Sequence, residues 1–281
     1  MMDKNCVAFL QWALPKMAFK WSGFRKVHGQ VCKRVRRRIV ELGLEDFRAY
    51  QTYLERHTGE WARLDGYCRI TISRFFRDRG VFEALAEAVL PALARAAHGE
   101  VRPLRAWCAG AASGEEPYSL TILWQLALAK AWPDTPLKVV ATDSDPLMLA
   151  RAEVACYPPG SLKDLPAGWV EKAFTPQNGG QDGGQDGTWC LKPEFKTAVT
   201  GLRQDLREAC PAGVFDLILC RNLAFTYFDD ATQKNVAARI AGALCPGGAL
   251  VLGAHENLPD APAAFAPWPG VSHVWRRTFE V

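Results

Sequence analysis

Hydrophobic and polar positions follow two different rhythms along this chain. The front is helical in pattern. "HGQVCKRVRRRIVELGL" places Val31, Val35, Ile39, Val40 and Leu42 near helical spacing, with arginines 34, 36, 37 and 38 around more than one side. Gly43 suits a helix end, and "EDFRAYQTYLERH" reads as a second, short helix. "ITISRFFRDRGVFEALAEAVLPAL" begins as a loop or a helix start and becomes a helix up to Pro91. A polar link, "ARAAHGEVRPLR", follows. The domain boundary falls between residues 80 and 102, dividing a helical piece, 1–85, from a second domain, 86–281.

Beyond the link, short apolar runs alternate with helical patterns. "LRAWCAG", "LKVVATDSD", "GVFDLILCRN" and "GGALVLGAHE" read as strands. "EEPYSLTILWQLALAKAW", "PLMLARAEVACY" and "DATQKNVAARIAGALC" read as the helices between them. This alternation predicts an α/β domain with a mostly parallel sheet covered on both faces. Ligands of such sheets lie beyond the carboxyl ends of the strands. The tips "CAGAASGEE", "TDSD" and "CRN" are therefore expected to converge on one pocket. Residues 158–200 break the rhythm. Their "NGGQDGGQDG" run is low in complexity and reads as a mobile surface loop inside a small excursion from the sheet.

Composition adds exclusions. The chain has 281 residues, with nine scattered cysteines and five dispersed histidines. No C-x-x-C pair or zinc spacing occurs, so no metal site is expected. The apolar start "CVAFLQWALPKMAF" is broken by Gln11, Pro15 and Lys16 and does not read as a signal peptide. No run is long enough to span a membrane. A cytoplasmic protein with reduced thiols is the resulting expectation. The net charge of +4 hides an asymmetry: residues 1–80 carry 17 Lys and Arg against 8 Asp and Glu, the remainder 17 against 22. A basic front should attract an anionic partner.

The loop after the first strand carries the chemistry. A helix N-terminus favours anions, and phosphate-binding loops leave it free of acidic side chains. Here Glu115 and Glu116 fill the first turn after Gly110 and Gly114, and would repel a pyrophosphate. They suit a ligand with hydroxyls or a cationic group, and S-adenosylmethionine offers a ribose, an ammonium and a sulfonium. Glu116 can equally serve only to complement the helix dipole. Asp143 ends the second strand where a nucleotide-binding fold puts its ribose acid. Asp145, before Pro146, reads as the cap of the next helix.

"RAWCAGAASGEEPYSL", "ATDSD", "FDLILCRN", "YFDDATQ" and "LCPGGALVLGAHENL" resemble the chemotaxis receptor methyltransferases, the CheR family. So do "KRVRRRIVELGLEDFRAYQTYL" and "SRFFRDRGVFEAL", in the family's order, from about residue 30 to about residue 258. The resemblance implies a Rossmann-like methyltransferase sheet with a small inserted β-subdomain, preceded by an all-helical N-terminal domain that meets substrate. It implies S-adenosylmethionine as methyl donor and a receptor glutamate as acceptor. By motif, Arg77 would sit at the methyl donor near the acceptor, with Thr71 and Ser73 along the same edge. Glu115 and Asp143 would hold the amino-acid end or ribose, Asp205 and Leu206 the adenine, and Arg221 and Asn222 would complete the pocket. Tyr227 would be catalytic.

Three features depart from that pattern. "CRNLAFTYF" is one residue longer before Tyr227 than the family's usual wording. "AHE" brings His255 to a strand end. The inserted subdomain carries the "GGQDGGQDG" run. Two other functions stay open at this level. One is a methyltransferase of the same fold acting on a small molecule or another protein side chain. The other is a nucleic-acid module using the "KRVRRR" face, against which stands the lack of interleaved aromatics and of any such motif.

Overall fold

A computed structural model describes residues 4–177, 187–258 and 264–278. The "GGQDGGQDG" run, Gly187 apart, lies outside the described residues. The chain forms two compact units, residues 1–71 with 223–234, and residues 72–222 with 235–281. Residue 85, where the pattern divided the chain, lies within a continuous helical run from Arg79 to Gly99.

The first unit is helical. Its helices span Lys4–Ala13, Trp21–Phe24, His28–Glu41, Phe47–Arg56 and Glu60–Cys68, joined by Ala224–Tyr227. The apolar start of the chain is the buried face of the first helix, with Cys6, Phe9, Leu10 and Ala13 enclosed. Phe9 meets Phe47 and Tyr50 with ring centroids 5.6 and 5.7 Å apart. Asp46 caps the fourth of these helices, accepting from the Ala49 N–H at 2.8 Å. Gly23 is required where it stands: a Cβ there would fall on the Thr226 carbonyl.

The arginine run is less available than its sequence suggests. Arg34 donates Nη1 to the carbonyls of Tyr67 and Arg69, at 2.8 and 2.7 Å. Arg38 grips the buried carboxylate of Glu60 through Nε at 2.8 Å and Nη2 at 2.9 Å, and Tyr50 donates its hydroxyl to the same group at 2.9 Å. Arg36 lies over the Phe47 ring, and Arg37 pairs with Glu41. Half of the run thus holds helices together.

The second unit is a seven-stranded sheet. Its strands, with those of the insert, are β1 (Leu104–Ala109), β2 (Leu137–Asp143), β3 (Cys156–Tyr157), β4 (Phe174–Gln177), β5 (Thr188–Leu191), β6 (Val199–Arg203), β7 (Phe215–Leu219), β8 (Leu244–Val251), β9 (Phe265–Pro267) and β10 (Val274–Arg277). The sheet order is β6-β2-β1-β7-β8-β10-β9. The first five of these strands are parallel, and β10 pairs antiparallel with β8 and β9. This is a Rossmann-like sheet, as the resemblance implied. The order turns back between β1 and β7, which sets the ligand crevice at their carboxyl ends. A second sheet, β3-β5-β4, is antiparallel and forms the insert.

Two expectations need correction. The helix does not stop at Pro91 but runs to Gly99, because a wide turn over Leu85–Val89 precedes the proline and absorbs its missing N–H. The thiols are also not all reduced. Cys6 pairs with Cys32, and Cys156 pairs with Cys190. Cys6 and Cys32 lie on different helices of one core. Cys156 and Cys190 are register partners across β3 and β5. Linear spacing carries neither proximity. Among the described residues, no helix is long and apolar enough to cross a membrane, and no group of acidic, His and Cys side chains forms a metal site.

Candidate active site

The turn after β1 is built by three left-handed residues. Gly110, Ala112 and Gly114 have φ of +77°, +46° and +94°. The N–H groups of Gly110 and Ala111 both reach the Thr142 carbonyl at the end of β2, at 2.8 and 2.9 Å. Gly114 must be glycine, since a Cβ there would lie 2.7 Å from the Tyr118 ring. The turn therefore delivers Glu115 to the start of the helix Glu115–Leu123 in one orientation.

Glu115 is 4% exposed. Its carboxylate is met by hydroxyls, with Ser113 Oγ 3.0 Å from each oxygen. Burial pushes its carboxyl up from the ordinary value, opposed by its own N–H and by the hydroxyls of Ser113 and Ser73. Ser73 is thus beside Glu115. Asp143, at the tip of β2, accepts from the Ala112 N–H at 2.9 Å and the Asp145 N–H at 2.8 Å. Asp145 caps the following helix by accepting from the Leu147 N–H at 2.9 Å, as its position before Pro146 predicted.

Asp205 and Leu206 follow β6, next to β2 in the sheet. Asp205 pairs with Arg207, whose Nη2 donates at 2.7 Å, and Leu206 is buried. Gln204, which sequence reasoning missed, has a buried Oε1 with no partner.

Arg221 follows β7. Its side chain is 2% exposed and donates Nη1 to Glu116 Oε2 at 2.9 Å. Nη2 donates to the Arg77 carbonyl at 2.7 Å and to Asp78 Oδ2 at 2.9 Å. Burial pushes the Glu116 carboxyl up, opposed first by the charge and hydrogen bond of Arg221. Glu116 therefore does more than complement a helix dipole. Asn222 has a φ of +55°, and its N–H donates to Glu256 at 2.6 Å. Glu256 and Leu258 are the buried residues of "AHENL", and His255 is exposed.

Arg77 sits in a tight turn with left-handed neighbours, Phe76 at φ +52° and Asp78 at φ +60°. Ser119 Oγ accepts from the Phe76 N–H at 3.0 Å and donates to the Glu115 carbonyl at 2.6 Å. Phe75 packs edge-on against Tyr157 and Phe174 of the insert. Arg77 itself donates Nη1 to the Ile72 carbonyl at 2.7 Å. Thr71 and Tyr227 belong to the helical unit, where Tyr227 packs on Phe24 with centroids 5.0 Å apart and accepts from the Lys20 N–H at 2.8 Å.

A sequence model described as "CheR methyltransferase, SAM binding domain" matches residues 71–273. The chain belongs to this family. It is 35% identical over 233 residues to chemotaxis protein methyltransferase 2 of Pseudomonas aeruginosa, covering 82% of this chain and 79% of that protein. It is 32% identical over 234 residues to the chemotaxis protein methyltransferase of Escherichia coli, covering 81% of this chain and 76% of that one. It also matches an uncharacterised 104.1 kDa protein of Rhodobacter capsulatus at 33% identity over 251 residues, where it spans 88% of its own length and 25% of the relative's. The enzyme is an S-adenosylmethionine-dependent methyltransferase.

The residues present suit that methyl donor. Glu115 opens the helix after β1, Asp143 ends β2 and Asp205 follows β6, so each lies just beyond the carboxyl end of a parallel strand. Carboxylates in these places would suit a group that offers donors and carries no phosphate. An ammonium, two ribose hydroxyls and an adenine amine do so, and an ammonium would hold the buried Glu115 ionised.

Proposed function

We propose that the enzyme methylates glutamate side chains of an acidic protein, the cytoplasmic helices of a chemoreceptor. Glu115, Asp143, Asp205 and Leu206 hold the cofactor, with Thr71, Ser73, Gly110 and Asn222 lining it. Arg77 orients the acceptor, and the protein works in the cytoplasm. No metal takes part in this reading. The observation that carries it is the Arg77 turn, hung on the cofactor helix through Ser119 and left with an arginine side chain that makes one hydrogen bond.

When bound, S-adenosylmethionine supplies a methyl group already activated by a sulfonium. The chain then needs no base, because a glutamate acceptor is ionised at neutral pH. Its task is alignment, which can lower a barrier by several kcal/mol. Arg77 can hold both oxygens of a carboxylate in one plane. Held in this way by Arg77, one carboxylate oxygen would take up the methyl group that the bound donor would supply, giving a methyl ester. The basic front of the chain, in Arg37 and the lysines near it, offers the charge to draw an acidic helix.

The test is Arg77→Lys, which keeps charge and loses planarity. It should bind S-adenosylhomocysteine within a few-fold of the parent and lose most of its transfer rate to a chemoreceptor fragment. Full turnover would remove Arg77 from this role and favour an acceptor without a carboxylate.

A further inference from the structure

We propose that Arg221, partnered by Glu116 and Asp78, is a positioning residue for Arg77 and not a contact of the cofactor. The proposal rests on the reading of Arg77 as the residue that orients the acceptor. From its sequence motif alone Arg221 would complete the cofactor pocket. The structure commits its guanidinium elsewhere. Nη1 is held by Glu116, and Nη2 by the Arg77 carbonyl and the Asp78 carboxylate. The Phe82 ring lies 5.4 Å from its central carbon. The remaining donor, Nε, is buried without a partner.

This arrangement has a structural job to do. Phe76 and Asp78 both hold left-handed backbone, which is strained for residues other than glycine and persists only when neighbours enforce it. Two anchors enforce it here. Ser119 takes the Phe76 N–H from the side of the cofactor helix. Arg221 takes the Arg77 carbonyl and the Asp78 side chain from the end of β7. Glu116, on the same cofactor helix as Ser119, holds Arg221 in turn. The Arg77 main chain is therefore tied to β7 and to the helix that presents Glu115. The Arg77 charge reaches Glu116 as well, favouring its ionised form. Losing one anchor leaves the cofactor residues in place and lets the Arg77 turn relax. Displacement of a positioning group by about 1 Å costs about 100-fold in rate.

Three variants test this: Arg221→Lys, Glu116→Gln and Asp78→Asn. Asparagine tolerates left-handed backbone, so Asp78→Asn keeps the fold where the buried pair fails to. Each is measured for S-adenosylhomocysteine affinity by calorimetry, for hydrogen exchange of residues 75–79, and for kcat and KM with a chemoreceptor fragment. The expected result is affinity within about threefold of the parent, faster exchange at 75–79, and a kcat lowered about 10- to 100-fold for Arg221→Lys. Glu116→Gln, which keeps an acceptor for Nη1, should recover part of that loss. Affinity lowered tenfold or more with unchanged exchange would make Arg221 a cofactor contact and overturn the proposal. Unchanged exchange and kcat in all three would also overturn it. If the parent methylates no receptor fragment, the acceptor reading fails, and the affinity and exchange results still decide where Arg221 acts.

Discussion

The Tyr157 hydroxyl donates to the Ser113 carbonyl at 2.6 Å. One residue is the second of β3 in the insert; the other is in the turn that delivers Glu115. The insert is thus fastened to the cofactor loop by a buried hydrogen bond. Tyr157→Phe would leave the Ser113 carbonyl without this partner, at a cost of about 1 kcal/mol. Calorimetry should show S-adenosylhomocysteine binding weakened about fivefold. Unaltered affinity would mean that the insert does not shape the turn.

The pairing of Arg38 with Glu60 has a pH signature. The guanidinium holds the Glu60 carboxyl below the ordinary carboxylate range, against the effect of burial, and the Tyr50 hydroxyl helps. A carboxylate depressed in the folded state gives its full stability above its unfolded value of about 4.3. That stability is lost as pH falls through the folded value. The urea midpoint of the helical unit, followed by hydrogen exchange in Phe47–Arg56 and Glu60–Cys68, should therefore drop between about pH 5 and about pH 3. Glu60→Gln should flatten that drop. It should also lower stability at neutral pH by on the order of 3 kcal/mol, since one partner of a buried pair is gone.

Much of this was legible in the chain. The alternation after residue 102 predicted the parallel strands, and the acidic helix start and the strand end placed Glu115 and Asp143 just beyond β1 and at the end of β2. What the pattern concealed was partnership. Arg34 and Arg38 read as free positive charge, yet their partners are two backbone carbonyls and a glutamate 22 residues away. Arg221 read as a pocket residue because its motif is adjacent to the pocket; its partners come from segments 105 and 143 residues distant. Strands β6, β9 and β10 are short, and β6 is exposed along most of its length, so neither apolar run nor alternation announces it. Glu256 was quoted in a motif and passed over, because only the folded chain shows it accepting from Asn222 and Gly253.

The disulfides make a countable prediction. Five cysteines keep their thiols out of nine in the chain. Denatured, oxidised protein should titrate five thiols with a thiol-reactive dye, and nine after reduction. Nine without reductant would contradict both bridges. Cys6→Ser with Cys32→Ser should lower the stability of the helical unit by roughly 3 kcal/mol, the loop-closure contribution of a bridge of this span.

The central claim is that a glutamate carboxylate receives the methyl group, and the position of the methyl group on the acceptor tests it most directly. The enzyme is incubated with isotopically labelled S-adenosylmethionine and the cytoplasmic fragment of a chemoreceptor, and the digest is mapped by mass spectrometry. The account predicts label on glutamate side chains of the fragment's helices, released as methanol by mild alkali, and much less of it with Arg77→Lys over the same interval. Label on a nitrogen or sulfur atom, stable to alkali, or label confined to a small molecule while the fragment stays unmodified, would contradict it.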